Sequence, residues 1–172
     1  KFLKKPWNIP NLPVFSLMTE INGRVNMNIC IYVSAMSMKP KRYAIGVYYG
    51  TKTLDNIRKG SSIVLQLLHV DQAVIVRNFG LKSGLNMDKH EFLRKKNSGD
   101  MENPIKRPYQ CIQWNEHVVL KHAVAWMELK PLWNQSAGDH ELYLFDVLGY
   151  KANQDDGVLT VRDLGEKGIV RI

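Results

Sequence analysis

Short apolar runs alternate with turn residues along most of this chain, and their periods predict strands far more often than helices. Residues 12–20, LPVFSLMTE, read as a first strand bounded by Pro13 and Asn22-Gly23. Asn-Gly is a strong short-hairpin signal because both residues tolerate positive φ. Residues 24–35 are therefore expected to run back antiparallel, within a stretch 26–40 that carries small and hydroxyl side chains on the way to Pro40. Residues 42–49, RYAIGVYY, are rich in the aromatic and branched residues that strands favour. Residues 53–59 read as a short helix capped by Thr53 and stopped by Gly60. A buried strand over 62–68 follows, then a helix over 70–79 with Asp71 as cap, then a short helix over 89–96. The remainder is β-rich: 110–114, 117–131, 140–151 and a tail from Val158, with 133–139 as a turn between the two longest strands.

Many antiparallel strands with a few short helices inserted early predict a mainly β chain, a small closed barrel in one domain over 1–172. No G-x-G-x-x-G is present, so a doubly wound dinucleotide site is not expected. The order of elements suits a flat, aromatic, phosphorylated ligand. Small strand residues let a ring lie against the backbone, and a hydroxyl- and lysine-bearing turn into a helix offers donors to a phosphate.

Charge adds a second consideration. The net charge is +8. Such a balance raises nucleic acid as a partner, with Tyr43, Tyr48 and Tyr49 beside Lys41 and Arg42 as stacking candidates. The basic residues are scattered, however, and no nucleic-acid motif accompanies them, so an anionic small ligand explains them equally well. Cys30 and Cys111 make neither a disulfide framework nor a metal site. The five histidines lack ligand spacing, and no metal is expected. No apolar run is long enough to span a membrane and no signal-like segment opens the chain, so the reading is cytoplasmic.

Three groups of residues are chemistry candidates. Thr51, Lys52, Thr53 and Asn56 cluster at a helix start, where hydroxyls and a cation suit a phosphate. Ser83 and Gly84, with Lys89 beyond them, sit in a loop where a glycine lets backbone approach a ligand. His140 follows Gly138-Asp139 at a strand start and could donate to a reacting centre. Ser34 and Ser37 have no adjacent base or elbow motif, so hydrolysis is not expected, and demanding chemistry would fall to a cofactor.

Taken in order, these pieces resemble the flavin reductase-like, FMN-binding split β-barrel family, which includes flavoredoxin-type proteins and the reductase components of two-component monooxygenases. Asn26 through Ser37-Met38-Lys39-Pro40 is similar to the family's segment of small and hydroxyl residues ending Ser-x-x-Pro. Lys52-Thr53-Leu54-Asp55-Asn56-Ile57, Asn78-Phe79-Gly80 with Ser83-Gly84 and Asp88-Lys89, and Gly138-Asp139-His140 resemble its later motifs. The resemblance covers about residues 12–150. It implies FMN held non-covalently near a homodimer interface, with NAD(P)H and free flavin as substrates. It implies that Asn26, Asn28, Tyr32, Val33, Ser34 and Ser37 flank the ring, and that Thr51, Lys52, Thr53 and Asn56 lie at the phosphate. Ser83, Gly84 and Lys89 would form another wall, with His140 catalytic. Met27, Ile29, Ile31 and Tyr32 are larger than the family's usual residues and would narrow the ring site. That departure keeps open an alternative: an FMN-binding electron-transfer or flavin-storage protein without pyridine-nucleotide reductase activity.

Overall fold

The computed structural model describes residues 5–99, 103 and 105–170. Its main sheet has seven strands, all paired antiparallel, in the order β2-β1-β5-β8-β9-β4-β3. These are β1 (Phe15–Ile21), β2 (Arg24–Cys30), β3 (Val33–Ser37), β4 (Arg42–Tyr48), β5 (Ser62–Leu67), β8 (Ala125–Ala137) and β9 (His140–Ala152). A separate two-stranded ribbon, β6 (Cys111–Trp114) with β7 (His117–Leu120), lies outside the main sheet. Among the described residues there are four short α-helices: α1 (Lys52–Arg58), α2 (Val76–Phe79), α3 (Lys89–Lys96) and α4 (Val161–Glu166).

The sheet curls into a split barrel with a core on each face. Phe15 and Leu17 of β1 point into the barrel with Ile45, Val47, Leu65, Leu129 and Phe145, and α1 closes this interior with Leu54 and Ile57. Val14 and Met18 point the other way, onto a second core with Met27, Val64, Phe79, Leu120 and Trp126. β1 and β5 are buried on both faces along most of their length, which is why their sequences read as mostly apolar rather than strictly alternating.

The Asn22-Gly23 hairpin forms as its sequence predicts, with φ of 52° and 72° at the two turn residues and Met18 opposite Met27. Several boundaries differ from expectation. The strand predicted over 24–35 breaks after Cys30, because Val33–Ser37 leaves β1 and pairs with β4. The 117–131 run is two strands, β7 and β8, separated by a turn at Lys121-His122. β8 continues to Ala137, so the turn expected over 133–139 shrinks to Gly138-Asp139, with Ala137 opposite His140. Thr51, not Thr53, caps α1, its hydroxyl accepting from the Leu54 N–H at 3.3 Å. The 70–79 helix starts as a 3-10 turn over Val70–Ile75 capped by His69 rather than Asp71. The tail from Val158 makes only isolated bridges before α4.

Candidate functional site

Alternation along β2 creates the site. Val25 and Met27 face the outer core, with Ile29 packed beside them, while Asn26 and Asn28 face the opposite side. There Asn26, Asn28, Tyr48, Thr51, Lys52, Thr53, Ser83, Gly84 and Lys89 surround a cavity of about 260 Å³. Most of the phosphate and loop candidates therefore converge from three chain segments far apart in sequence.

The cavity wall is fixed by buried polar contacts. Asn26 donates from Nδ2 to the Thr53 hydroxyl at 3.0 Å, and both residues are buried. Asn56 does not face the same cavity: its amide donates to the Thr19 hydroxyl at 3.0 Å, anchoring α1 to β1, and it borders a second hollow of about 430 Å³. Gly84 closes on this wall. A Cβ there would stand 2.3 Å from Asn26 Oδ1 and 3.0 Å from Lys52 Cβ, so only glycine lets the 83–84 loop lie against the carboxamide.

Lys89, which also lines this cavity, has a structural task. Its ammonium is buried and donates to the carbonyls of Met27 and Phe79, both at 2.8 Å, tying α3 to β2 and to the end of α2. Burial pulls its pKa down to about 8. Next to it, Asp88 caps α3 by accepting from the Glu91 N–H at 3.0 Å and also pairs with Arg24. The Glu91 N–H contact, followed by Arg24, holds the Asp88 carboxyl below the usual range.

The ring candidates lie on the neighbouring face. Tyr32 and Tyr48 each meet His140 edge-on, with ring centroids 5.1 Å away. Gly46 makes room beneath them: a Cβ there would be 3.3 Å from Tyr32 Cβ and 3.6 Å from His140 Cδ2. His140 Nδ1 is 2.6 Å from Asp139 Oδ1, a contact that orients the imidazole. Val33 packs on the barrel core, whereas Ser34 is exposed and Ser37 half-buried on β3. Met27 is buried in the outer core and Ile29 and Ile31 pack against it; of the four large residues, only Tyr32 meets His140. Tyr43 and Tyr49 pack with the barrel interior while Tyr48 faces out, so the three tyrosines do not form a shared stacking surface.

Sequence reasoning missed Tyr48, Gly50, Gly80, Leu81 and Lys82 as cavity residues. Tyr48 was legible in principle: on β4 it alternates with Val47, which faces the core. Among the described residues no group of His, Cys, Asp or Glu could hold a metal, and no helix is long and apolar enough to cross a membrane. Cys30 and Cys111 are free, and burial pushes both thiols up to about 12, far from the thiolate range of a reactive cysteine.

With this geometry in view, comparison with known proteins identifies the family. A family model described as a flavin reductase like domain matches residues 12–163. The chain belongs to the flavin reductase-like family. Members of this family share the split barrel. An FMN-binding protein from Thermus thermophilus, solved with bound 1-cyclohex-2-enone, superposes with a TM-score of 0.70 at 18% identity, covering 88% of this chain and 76% of that one. The flavin reductase PheA2 aligns at 22% identity with a TM-score of 0.66, over 87% and 85% of the two chains. The NADH:FAD oxidoreductase SgcE6 of Streptomyces globisporus, solved with NAD and FAD fragments, gives a TM-score of 0.68 at 14% identity over 85% and 78%. No curated protein sequence matches the chain.

Proposed function

We propose that this flavin reductase-like protein binds FMN and catalyses flavin reduction by NAD(P)H, as a homodimer. The observation that carries the reading is the cavity between β2, α1 and the 80–84 loop, continuous with the face that holds Tyr48 and His140. Its donor set fits a phosphorylated ring. The Thr51 and Ser83 hydroxyls and the Lys52 and Lys82 ammonium groups can neutralise and hold a phosphate dianion. The carboxamides of Asn26 and Asn28 line the route from there toward the aromatic face. At about 260 Å³ the cavity would take the phosphate and sugar-alcohol end of FMN rather than the whole molecule.

Bound FMN supplies a ring atom that accepts hydride and a reduced form that passes electrons to free flavin or another acceptor. The chain's own residues bind, orient and shield. Lys52 and Thr51 would hold the phosphate, Asn28 and Ser34 would offer hydrogen bonds to the polar edge, and His140, oriented by Asp139, would offer its second nitrogen to the substrate. Exposed Trp7, Met36, Tyr32 and Trp133 provide apolar area for a second copy to cover the ring. One feature favours the alternative of an electron-transfer or storage protein: the 58% exposed Tyr32 ring stands against His140, where a nicotinamide would approach.

The binding half of this reading is tested by titrating purified protein with FMN and with riboflavin. Lys52→Ala should weaken FMN by about 1.5–3 kcal/mol and leave riboflavin nearly unchanged, because it removes a charge-assisted contact to the phosphate alone. Thr53→Ala should weaken both ligands, since it also leaves the buried Asn26 amide without its acceptor. Equal loss of both ligands in Lys52→Ala would move the phosphate elsewhere.

His140→Ala should slow flavin reduction by NAD(P)H at least tenfold while changing FMN affinity less than about threefold, in line with the usual contribution of a positioned acid or base. A histidine that only braces the 138–139 turn would instead lower the melting temperature and leave the reduction rate of the folded fraction at its wild-type value.

A further inference from the structure

Another cavity, independent of the flavin reading, lies where four chain segments meet beside the β6–β7 ribbon. It measures about 490 Å³ and receives His69, Arg107, Lys121 and His122. Among the described residues, the only carboxylate on its wall is Asp71, and that group already faces His69, with 3.5 Å between Asp71 Oδ2 and His69 Nδ1. Neither Arg107 nor Lys121 makes an ion pair with any described residue.

The walls are built rather than incidental. Gln72 donates from its side chain to the Pro108 carbonyl at 3.3 Å, joining the 3-10 turn after β5 to the 107–109 segment. The Lys121 N–H donates to the Gln110 carbonyl at 2.8 Å, and Asn153 sews the end of β9 to the β7–β8 turn through Ala123 and Val124. Gly157 lies so close to His69 that a Cβ there would stand 2.2 Å from the ring nitrogen Nε2. These contacts fix the backbone from which Arg107, Lys121, His69 and His122 reach one opening.

Such an arrangement repels itself when empty of anions. Burial, then Arg107, Lys121 and His69, hold the His122 pKa below the ordinary histidine value, with Asp71 opposing them weakly. His122 Nε2 contacts the Gln110 side-chain oxygen at 2.9 Å and therefore acts as donor, so Nδ1 is the nitrogen available to a proton or ligand.

We infer that this cavity binds a phosphorylated small molecule, with its phosphate between Arg107 and Lys121 and its remaining body in the hollow toward His69 and Asn153. Arg107 offers a planar fork to two phosphate oxygens and Lys121 a point charge. The volume exceeds what a bare phosphate fills, so an organic phosphate is the expected class.

The test uses inorganic pyrophosphate as probe, titrated calorimetrically at fixed low ionic strength into flavin-saturated protein, because exposed charges are screened within about 8 Å at physiological salt. The expected result is one saturable site whose dissociation constant rises about tenfold in Arg107→Gln and in Lys121→Gln, the effect of losing one charge-assisted contact. The His122 ring signals should titrate at higher pH when pyrophosphate is bound. Both substituted residues are exposed, so flavin binding and melting temperature should stay at wild-type values. Absence of saturable binding, binding seen only in flavin-free protein, or an unchanged constant in the double variant would overturn the proposal. Equal affinity for citrate would overturn the phosphate assignment.

Discussion

Gly84→Ala is expected to cut FMN affinity at least tenfold while leaving a folded protein. The added Cβ would meet Asn26 Oδ1 at 2.3 Å, and that side chain cannot simply swing away because its amide is bound to buried Thr53. Relief requires either breaking the Asn26–Thr53 bond or pushing the 83–84 loop outward from Lys52. Either change opens the wall on which the phosphate would rest. Overpacking of this kind costs about 1–3 kcal/mol of stability, which lowers the melting temperature by about 2–4 °C for each kcal/mol in a chain of this size. FMN titration and a thermal melt check both effects. Wild-type FMN affinity in this variant would remove the 83–84 loop from the ligand.

Lys89→Met should produce the largest loss of stability. The substitution keeps most of the apolar stem but strips two buried carbonyls, those of Met27 and Phe79, of their donor. Each unsatisfied buried group costs about 1–3 kcal/mol. The same residue gives a pH signature. Its folded pKa, about 8, lies below the ordinary lysine value, so the unfolded chain holds the proton more tightly than the native one. Stability should therefore rise with pH between about 8 and the ordinary lysine value, and be flat below about 8 as far as this group is concerned. Tyr109 and Tyr143, whose hydroxyl pKa values are raised, limit the rise at its alkaline end. Urea midpoints at pH 7.5 and 9.5 read the difference, which Lys89→Met should abolish. A wild-type midpoint that falls over this interval would contradict the assignment.

Lys89 also shows what a motif hides. The sequence identifies the Asp88-Lys89 pair and its loop, but a lysine is usually solvated, and nothing local says that this one enters the protein. Its role depends on β2 and α2 arriving from distant parts of the chain. The same holds for Asn56, which sits one helical turn from Thr53 yet bonds Thr19 inside the fold. Strand existence was legible because alternation and the Asn22-Gly23 turn are local signals. Strand partnership was not: the break at Ile31-Tyr32 carries no glycine or proline, and only the pairing of Val33 with Ile45 shows that the chain has changed neighbours. The large residues after Asn26 suggested a crowded ring site. The register of β2 instead turns Met27 into the core and leaves Asn26 and Asn28 at the cavity. A one-residue slip would reverse that assignment.

The most direct test is rapid anaerobic mixing of FMN-loaded protein with NADH and, separately, NADPH, following the visible absorbance of the flavin. The account predicts that FMN binds and that at least one nucleotide bleaches this band in a saturable, single-exponential phase, slowed in His140→Ala. A band that stays unchanged with both nucleotides would contradict reductase activity, and a protein that takes up no FMN at all would contradict the account at its root.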